Sequence, residues 1–388
     1  MQYLARRYDT SEPVSLDVEN GRLQRITPIG LNSNNARSSG LPNLANLPWL
    51  CPGFVDLQIN GYEGVEFSSP ALTVDKVRVI VEKTVAQGIT RFCPTVTTNS
   101  SAVIEHAMRT IATACEQVPY VARHVLGIHL EGPYISADDG PRGAHPLTHC
   151  RRTDWGEFQR FQTAAAGRIR LVTLSPEYDE SLDFIRRAVA ANIVISIGHT
   201  QATRPQILAA VDAGATLSTH LGNATHRVLR RHPNYLWDQL AEDRLSATFI
   251  VDGHHLSPEV VQSFIRAKQP QRSILISDLS GMAGLPPGAY RTELCDLEIK
   301  ADGRIMLGGQ NQLLAGASQS ILVGVANVMR FAGVDFRVAV EMATVHPAKL
   351  MKASYPKFQV GETAEYVLVE RKMNAENVER LLVREIIC

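Results

Sequence analysis

The stretch GIHLEGPYIS at residues 127–136 begins as an apolar strand, ends on a carboxylate at Glu131 and breaks at once with Gly132-Pro133. Acidic side chains are seldom fully buried unless they are paired or bound to a metal. A strand that places a glutamate at its last in-line position therefore needs partners at the same level of the fold.

Outward from this stretch, from residue 53 onward, short β-branched runs alternate with helix-length segments, the pattern of βα units around a parallel sheet. The strand-like runs are FVDLQI (54–59), ITRFCPT (89–95), HVLGIHL (124–130), RLVTLS (170–175), IVISIG (193–198), ATLST (215–219), SATFIV (246–251) and SILIS (273–277). The intervening segments are amphipathic. SAVIEHAMRTIATACEQV (101–118) sets Val103, Ile104, Ala107, Met108, Ile111 and Cys115 on one face. LSPEVVQSFIRAK (256–268) opens with Ser257 as N-cap and Pro258 at the first helical position. Eight such units predict an α/β fold with a TIM-type (β/α)8 barrel. An open doubly wound sheet is the competing arrangement, but no G-x-G-x-x-G follows the first strand.

The chain has 388 residues, 45% of them apolar and 20% charged, which exceeds the roughly 250 residues of one ordinary barrel. A second, small domain is expected, and the first fifty residues read as β-rich. Lys+Arg and Asp+Glu balance at 39 each, so the global charge offers no attraction to nucleic acid or an anionic membrane. The N-terminus has no hydrophobic signal core, and no apolar run is long enough to cross a bilayer. Six cysteines without a C-x-x-C fit free thiols in a reducing cytoplasm. The polar tract NSNNARSSG (32–40) reads as a surface loop.

In such a barrel the chemistry sits at the C-terminal ends of the strands. Those positions are Gln58 and Asn60 after strand one, Glu131 after three, His199 after five, His220 after six, Asp252 and His255 after seven, and Asp278 after eight. A lone histidine at a strand end is most often structural, and a lone buried glutamate is often half of a salt bridge. Two histidines, a glutamate and an aspartate converging on one rim are better explained as a metal site. Two His and one Glu can hold a catalytic zinc and leave a position open for water.

The set PGFVDLQINGYEG, GIHLEGPYI, GAHP, SIGHT, STHLGNA, DGHHL, ISDLSG, LAGAS and ATVHPAKLMK resembles, in order, the amidohydrolase superfamily and within it the N-acetylglucosamine-6-phosphate deacetylase family. The resemblance implies a barrel over 53–352 flanked by a small β-sandwich domain built from 1–52 and 353–388. It implies one divalent metal per chain, zinc first and Fe2+, Co2+ or Mn2+ as alternatives, on Glu131, His199 and His220, with Asp278 as the catalytic acid/base. Substrate contacts fall on Ala144, His145, Asn223, Ala224, His255 and the backbone of Leu314, Ala315 and Gly316. The family's phosphate-binding arginine falls on Arg231, which in relatives reaches the neighbouring subunit's site, so a homodimer is implied. The expected substrate is a phosphorylated N-acetyl amino sugar, in a cytoplasmic enzyme with neither nucleic-acid nor membrane partner.

Three departures stand out. Where many amidohydrolases carry H-x-H after strand one, this chain has Gln58-Ile59-Asn60, whose amides are poor ligands for transition metals; a single metal is expected. The methionine usual after "NA" is Thr225, and the loop HRVLRRHPN that follows leaves Arg227, Arg230 and Arg231 all open as phosphate contacts. SDLSGMAG keeps the aspartate with altered neighbours. Asp278 could alternatively cap a helix after strand eight, and either His254 or His255 could face the substrate. His226, His232 and His346 read as structural, His106 and His149 as surface residues. The rival functions are another mononuclear amidohydrolase acting on a different N-acyl amino sugar or amino acid, and a non-catalytic scaffold with this fold.

Overall fold

All eight expected strands pair in chain order into one parallel sheet: Phe54–Ile59, Ile89–Thr97, Ile128–Glu131, Ile169–Leu174, Val194–Ile197, Leu217–Ser218, Ser246–Ile250 and Ser273–Ile276. The first and last meet where Asn60 N–H donates to Leu279 O at 2.8 Å and Ile59 bridges Leu279 in parallel, so the sheet curls into a barrel. This computed structural model describes residues 1–29, 44–292, 296–308, 314–374 and 379–388; the expected loop at 32–40 lies outside them.

Inside the barrel, Val55, Leu57, Cys93, Leu171, Leu217, Ile274 and Ile276 form their own buried cluster with Ala348 and Met351. Small and branched side chains from successive strands fill this space in layers, making it a packed core rather than a pore. The outer core lies between strands and helices. Helix Ser101–Gln117 buries Ile104, Ala107, Met108, Ile111 and Cys115, as its spacing dictates, and Ser100 caps it by accepting from Val103 N–H. Val103, placed on that face by the sequence pattern, is only half-buried. Helix Pro258–Lys268 starts as expected, with Ser257 accepting from Val260 N–H.

Two strand expectations need correction. HVLGIHL does not run as one strand from 124, because Pro119–His124 forms a short helix with proline in its first turn; the strand begins at Ile128 and includes Glu131 as its last residue. ATLST shortens to Leu217–Ser218. His106 is half-buried, its Nε2 3.0 Å from Leu72 O, rather than free on the surface.

The chain-end strands form a separate six-stranded sheet in the order Glu379–Ile387, Tyr366–Met373, Trp49–Pro52, Gln2–Arg7, Pro13–Glu19, Arg22–Pro28. Strand Tyr366–Met373 lies antiparallel to Trp49–Pro52, which joins the two ends of the chain. A three-stranded antiparallel sheet, Gly288–Arg291, Asp296–Ile299 and Ile305–Leu307, is inserted after barrel strand eight. The five described cysteines are free thiols. No helix among the described residues is long and apolar enough to cross a membrane.

Candidate active site

Glu131, His199 and His220 come together at the C-terminal rim. Glu131 Oε1 lies 3.2 Å from His199 Nε2 and 3.1 Å from His220 Nε2, and the two Nε2 atoms are 3.1 Å apart. All three side chains are buried. Each follows from its place in a βα unit: Glu131 ends strand three, and the histidines stand two residues past strands five and six. Between strand five and His199, Gly198 leaves no room for a side chain, since a Cβ there would lie 2.7 Å from Thr173 Cγ2.

Backbone strain marks the same positions. His199, His220 and Asp278 adopt positive φ of 49°, 28° and 53°, a region that non-glycine residues enter rarely and at a cost of order 1–3 kcal/mol. Three such residues on one rim, each just past its strand, indicate that the fold holds these side chains in place against local preference.

The donor set fits a metal cation. His199 Nδ1 lies 2.9 Å from Pro141 O; a carbonyl only accepts, so Nδ1 carries the proton and Nε2 presents a lone pair. That lone pair faces a carboxylate oxygen and a second imidazole nitrogen, three electron-rich atoms aimed at one point. Such a convergence is the arrangement of a His2Glu metal site with a second-sphere carbonyl fixing the tautomer. Burial raises the Glu131 carboxyl, but its contacts with His199 and His220 outweigh that and hold it well below the usual range.

Asp278 stands beside the cluster. Its Oδ1 accepts from Asn60 Nδ2 at 2.8 Å and Gln58 Nε2 at 3.0 Å. Burial and then the charge on Glu131 push its pKa up to about 6. No helix follows strand eight directly, so the helix-cap alternative for Asp278 falls away. Gln58 is within reach because the pairing of strands one and two is irregular between Asp56 and Ile59; such irregularities re-aim a side chain.

Glu131, His199, His220, Asn60 and Asp278 line a cavity of about 450 Å³, large enough for a small sugar derivative. Ala144, His145, Asn223, Ala224, His255, Leu314, Ala315 and Gly316 all line it. His145 Nδ1 is 2.8 Å from Thr98 Oγ1, and its ring stands edge-on to His199 at 4.3 Å. Burial and then the His199 ring push His145 down to about 3, so it is neutral at physiological pH. Gly316 has φ +70°, and a Cβ there would lie 3.0 Å from Asp278 O; only glycine suits that close approach.

Of the three arginines after Asn223, Arg227 lines the cavity, whereas Arg230 and Arg231 do not. Arg231 is exposed. Both His254 and His255 reach the lining. Sequence reasoning missed Glu66, Ser68, Thr97, Thr292 and Leu297, which also line the cavity. Thr97 was findable as the end of strand two; Thr292 directly follows the first strand of the inserted sheet and Leu297 lies in its second, and neither carried a barrel signal. His226 lines the cavity too, but its ring nitrogens are engaged by Tyr235 OH at 3.0 Å and Asp138 Oδ2 at 3.1 Å, in keeping with a structural role.

A barrel with a His2Glu cluster and an aspartate after strand eight defines the amidohydrolase class, and the Amidohydrolase family model matches residues 49–384. The chain is 33% identical to the N-acetylglucosamine-6-phosphate deacetylase of Bos taurus, over 84% of this chain and 80% of the relative. It is 31% identical to the N-acetylgalactosamine-6-phosphate deacetylase of Escherichia coli O157:H7, over 78% of each. In solved structures, a mutant N-acetyl-D-glucosamine-6-phosphate deacetylase from Mycobacterium smegmatis, in complex with N-acetyl-D-glucosamine-6-phosphate, superposes with a TM-score of 0.83 at 28% identity, covering 100% of this chain and 97% of the other. The chain belongs to the amidohydrolase family, and within it to the N-acetylhexosamine-6-phosphate deacetylases.

Proposed function

We propose that this protein hydrolyses the N-acetyl group of N-acetylglucosamine 6-phosphate, giving glucosamine 6-phosphate and acetate. The carrying observation is the convergence of Glu131 Oε1 with His199 Nε2 and His220 Nε2, within 3.2 Å of each other, beside Asp278. Glu131, His199 and His220 would hold a divalent metal, zinc by preference, whose Lewis acidity would lower the pKa of water toward about 7 and polarise an acyl oxygen.

The remaining work falls to the chain's own groups. Amide resonance makes the bond a poor electrophile with a poor leaving group, so a proton must be moved twice. Asp278 accepts a proton as water attacks the acyl carbon, then delivers it to the departing sugar nitrogen as the C–N bond breaks. Gln58 and Asn60 hold its carboxylate in place. His145, neutral and fixed by Thr98, orients the acyl end or a sugar hydroxyl.

The sugar phosphate has a matching wall. The lining contributed by the loops after strands six and seven carries Arg227, His254 and His255 and no acidic residue, whereas Glu131 and Asp278 lie toward strands three and eight. The anionic end of the substrate fits the first wall and the acyl end the second. Arg231, exposed and outside this lining, is the arm that a second copy would contribute in a homodimer. A cytoplasmic setting suits an enzyme acting on a phosphorylated metabolite.

The test is acetate release by zinc-loaded protein from N-acetylglucosamine 6-phosphate, N-acetylgalactosamine 6-phosphate and unphosphorylated N-acetylglucosamine. Preference for the phosphorylated glucose epimer, with about one metal per chain, is the expected result. Equal turnover of phosphorylated and unphosphorylated sugar would overturn the phosphate reading, and preference for the galactose epimer would reassign the substrate.

A further inference from the structure

Asp252, which the mechanism above does not use, is almost as buried as the residues of the centre. It lies behind His255, with side-chain exposures of 6% for the aspartate and 7% for the histidine. Asp252 Oδ2 is 2.8 Å from His255 Nδ1, while Oδ1 accepts the backbone N–H groups of His254 and His255 at 2.8 and 2.9 Å. Burial would raise this carboxyl, but the contacts with His255 outweigh it and hold it down at about 2, so Asp252 is a carboxylate under working conditions.

A carboxylate can only accept, so the proton between the two groups sits on His255 Nδ1. This fixes the ring plane and leaves Nε2 for the cavity, which His255 lines; among the described residues Nε2 has no hydrogen-bond partner. An imidazole with both nitrogens protonated donates from Nε2 as well as from Nδ1. Charged groups lining the same cavity include Glu66, Glu131 and Arg227, and Asp278, which feels the charge of His255.

We propose that Asp252 is a positioning residue that orients His255, so that the Asp252–His255 pair reads the anionic end of the substrate. The inference rests on the deacetylase reading above for the identity of that anion. Asp252 touches no substrate atom itself; it acts through His255.

Three variants test it: Asp252→Asn, His255→Gln and the double variant. Asparagine keeps an oxygen for the two backbone N–H groups, so the loop retains its shape, but a neutral amide replaces the carboxylate that holds Nδ1. KM for N-acetylglucosamine 6-phosphate divided by KM for N-acetylglucosamine rises about tenfold in Asp252→Asn, the scale of replacing a charge-assisted hydrogen bond with a neutral one. kcat for the phosphorylated sugar changes far less than KM. Because Asp252 works through His255, the double variant is no worse than His255→Gln, which is the coupling a double-mutant cycle reads. An unchanged KM ratio in Asp252→Asn, or losses that add in the double variant, overturns the proposal while leaving the deacetylase reading intact.

A wild-type protein that turns over neither sugar overturns the deacetylase reading instead. Calorimetric titration with inorganic phosphate then decides the pair on its own. Binding about tenfold weaker in Asp252→Asn supports it, and equal binding refutes it.

Discussion

Gln58 Nε2 lies 3.0 Å from Asp278 Oδ1, and the same nitrogen lies 2.9 Å from Glu131 Oε1. One amide with two hydrogens thus joins a candidate metal ligand to the candidate acid/base. Both carboxylates are acceptors only, so Gln58 separates two like charges that would otherwise face each other in a buried space. An imidazole at position 58 would ask for a second cation there; the amide supplies hydrogen-bond donors instead. Gln58→Leu is expected to lower kcat about 10–100-fold, as loss of a group that orients ligands typically does. Metal content should remain near one per chain. An unaltered kcat would show that the two carboxylates hold their positions without the amide.

Asp278→Asn removes the proton carrier while preserving size and the contact with Asn60 through a rotated amide. The expected outcome is a loss of roughly 10²–10⁴ in kcat, the usual contribution of general acid–base catalysis, with metal stoichiometry and thermal stability close to wild type. Turnover within a few-fold of wild type would require another proton carrier.

His199→Ala deletes one of three converging donors and leaves Glu131 facing His220 alone. Purified variant is expected to contain well under one metal per chain and to have no measurable acetate release. Chelation of the wild type should reproduce the loss, and zinc should restore it only when all three donors are present. Binding of metal to the native state alone also raises its stability, so the chelated wild type should melt at a lower temperature than the loaded form. A variant that still retained one tightly bound zinc would mean that the ligand set has been misread.

How far the sequence alone reaches can be judged residue by residue. The eight strands were legible because each is a short β-branched run bounded by turn residues, and Glu131, His199, His220 and Asp278 because they break those runs with polar groups at one level. What failed was local competition. The run 124–130 looked extended, yet Pro119 nucleates a helix that takes His124 away, its Nδ1 lying 2.5 Å from Thr90 O. The side chain of Gln58 reaches Glu131 only through an irregularity in strand pairing that leaves no compositional trace. The inserted sheet at 288–307 was invisible because its pairing is read against itself and not against the barrel. The choice between Arg227 and Arg231 depends on the path of a loop, and pattern alone carries no information on which cationic side chain turns inward.

Asp56 offers a test in which the pH dependence has a definite sign. It is fully buried, and burial pushes its pKa from 3.8 up to about 7 despite hydrogen bonds from Ser277 and Gln58. At pH below about 4 the acid is protonated in both the folded and unfolded states and contributes no difference. Between there and about 7 the folded state keeps a proton that the unfolded state has released, so stability falls as pH rises, by roughly 1.4 kcal/mol per pH unit for one such group. Above that window the penalty is complete. Asp56→Asn is neutral throughout and keeps an oxygen for Gln58 N–H and Ser277 N–H. The melting temperature of Asp56→Asn minus that of the wild type should therefore climb from pH 5 to pH 7 and level off above. His129 and His145, which burial pushes down to about 4 and about 3, act in the opposite direction in both proteins and cancel in this difference. Melting curves that keep a constant separation from pH 5 to pH 8 would mean that Asp56 is ionised in the folded protein across the whole range.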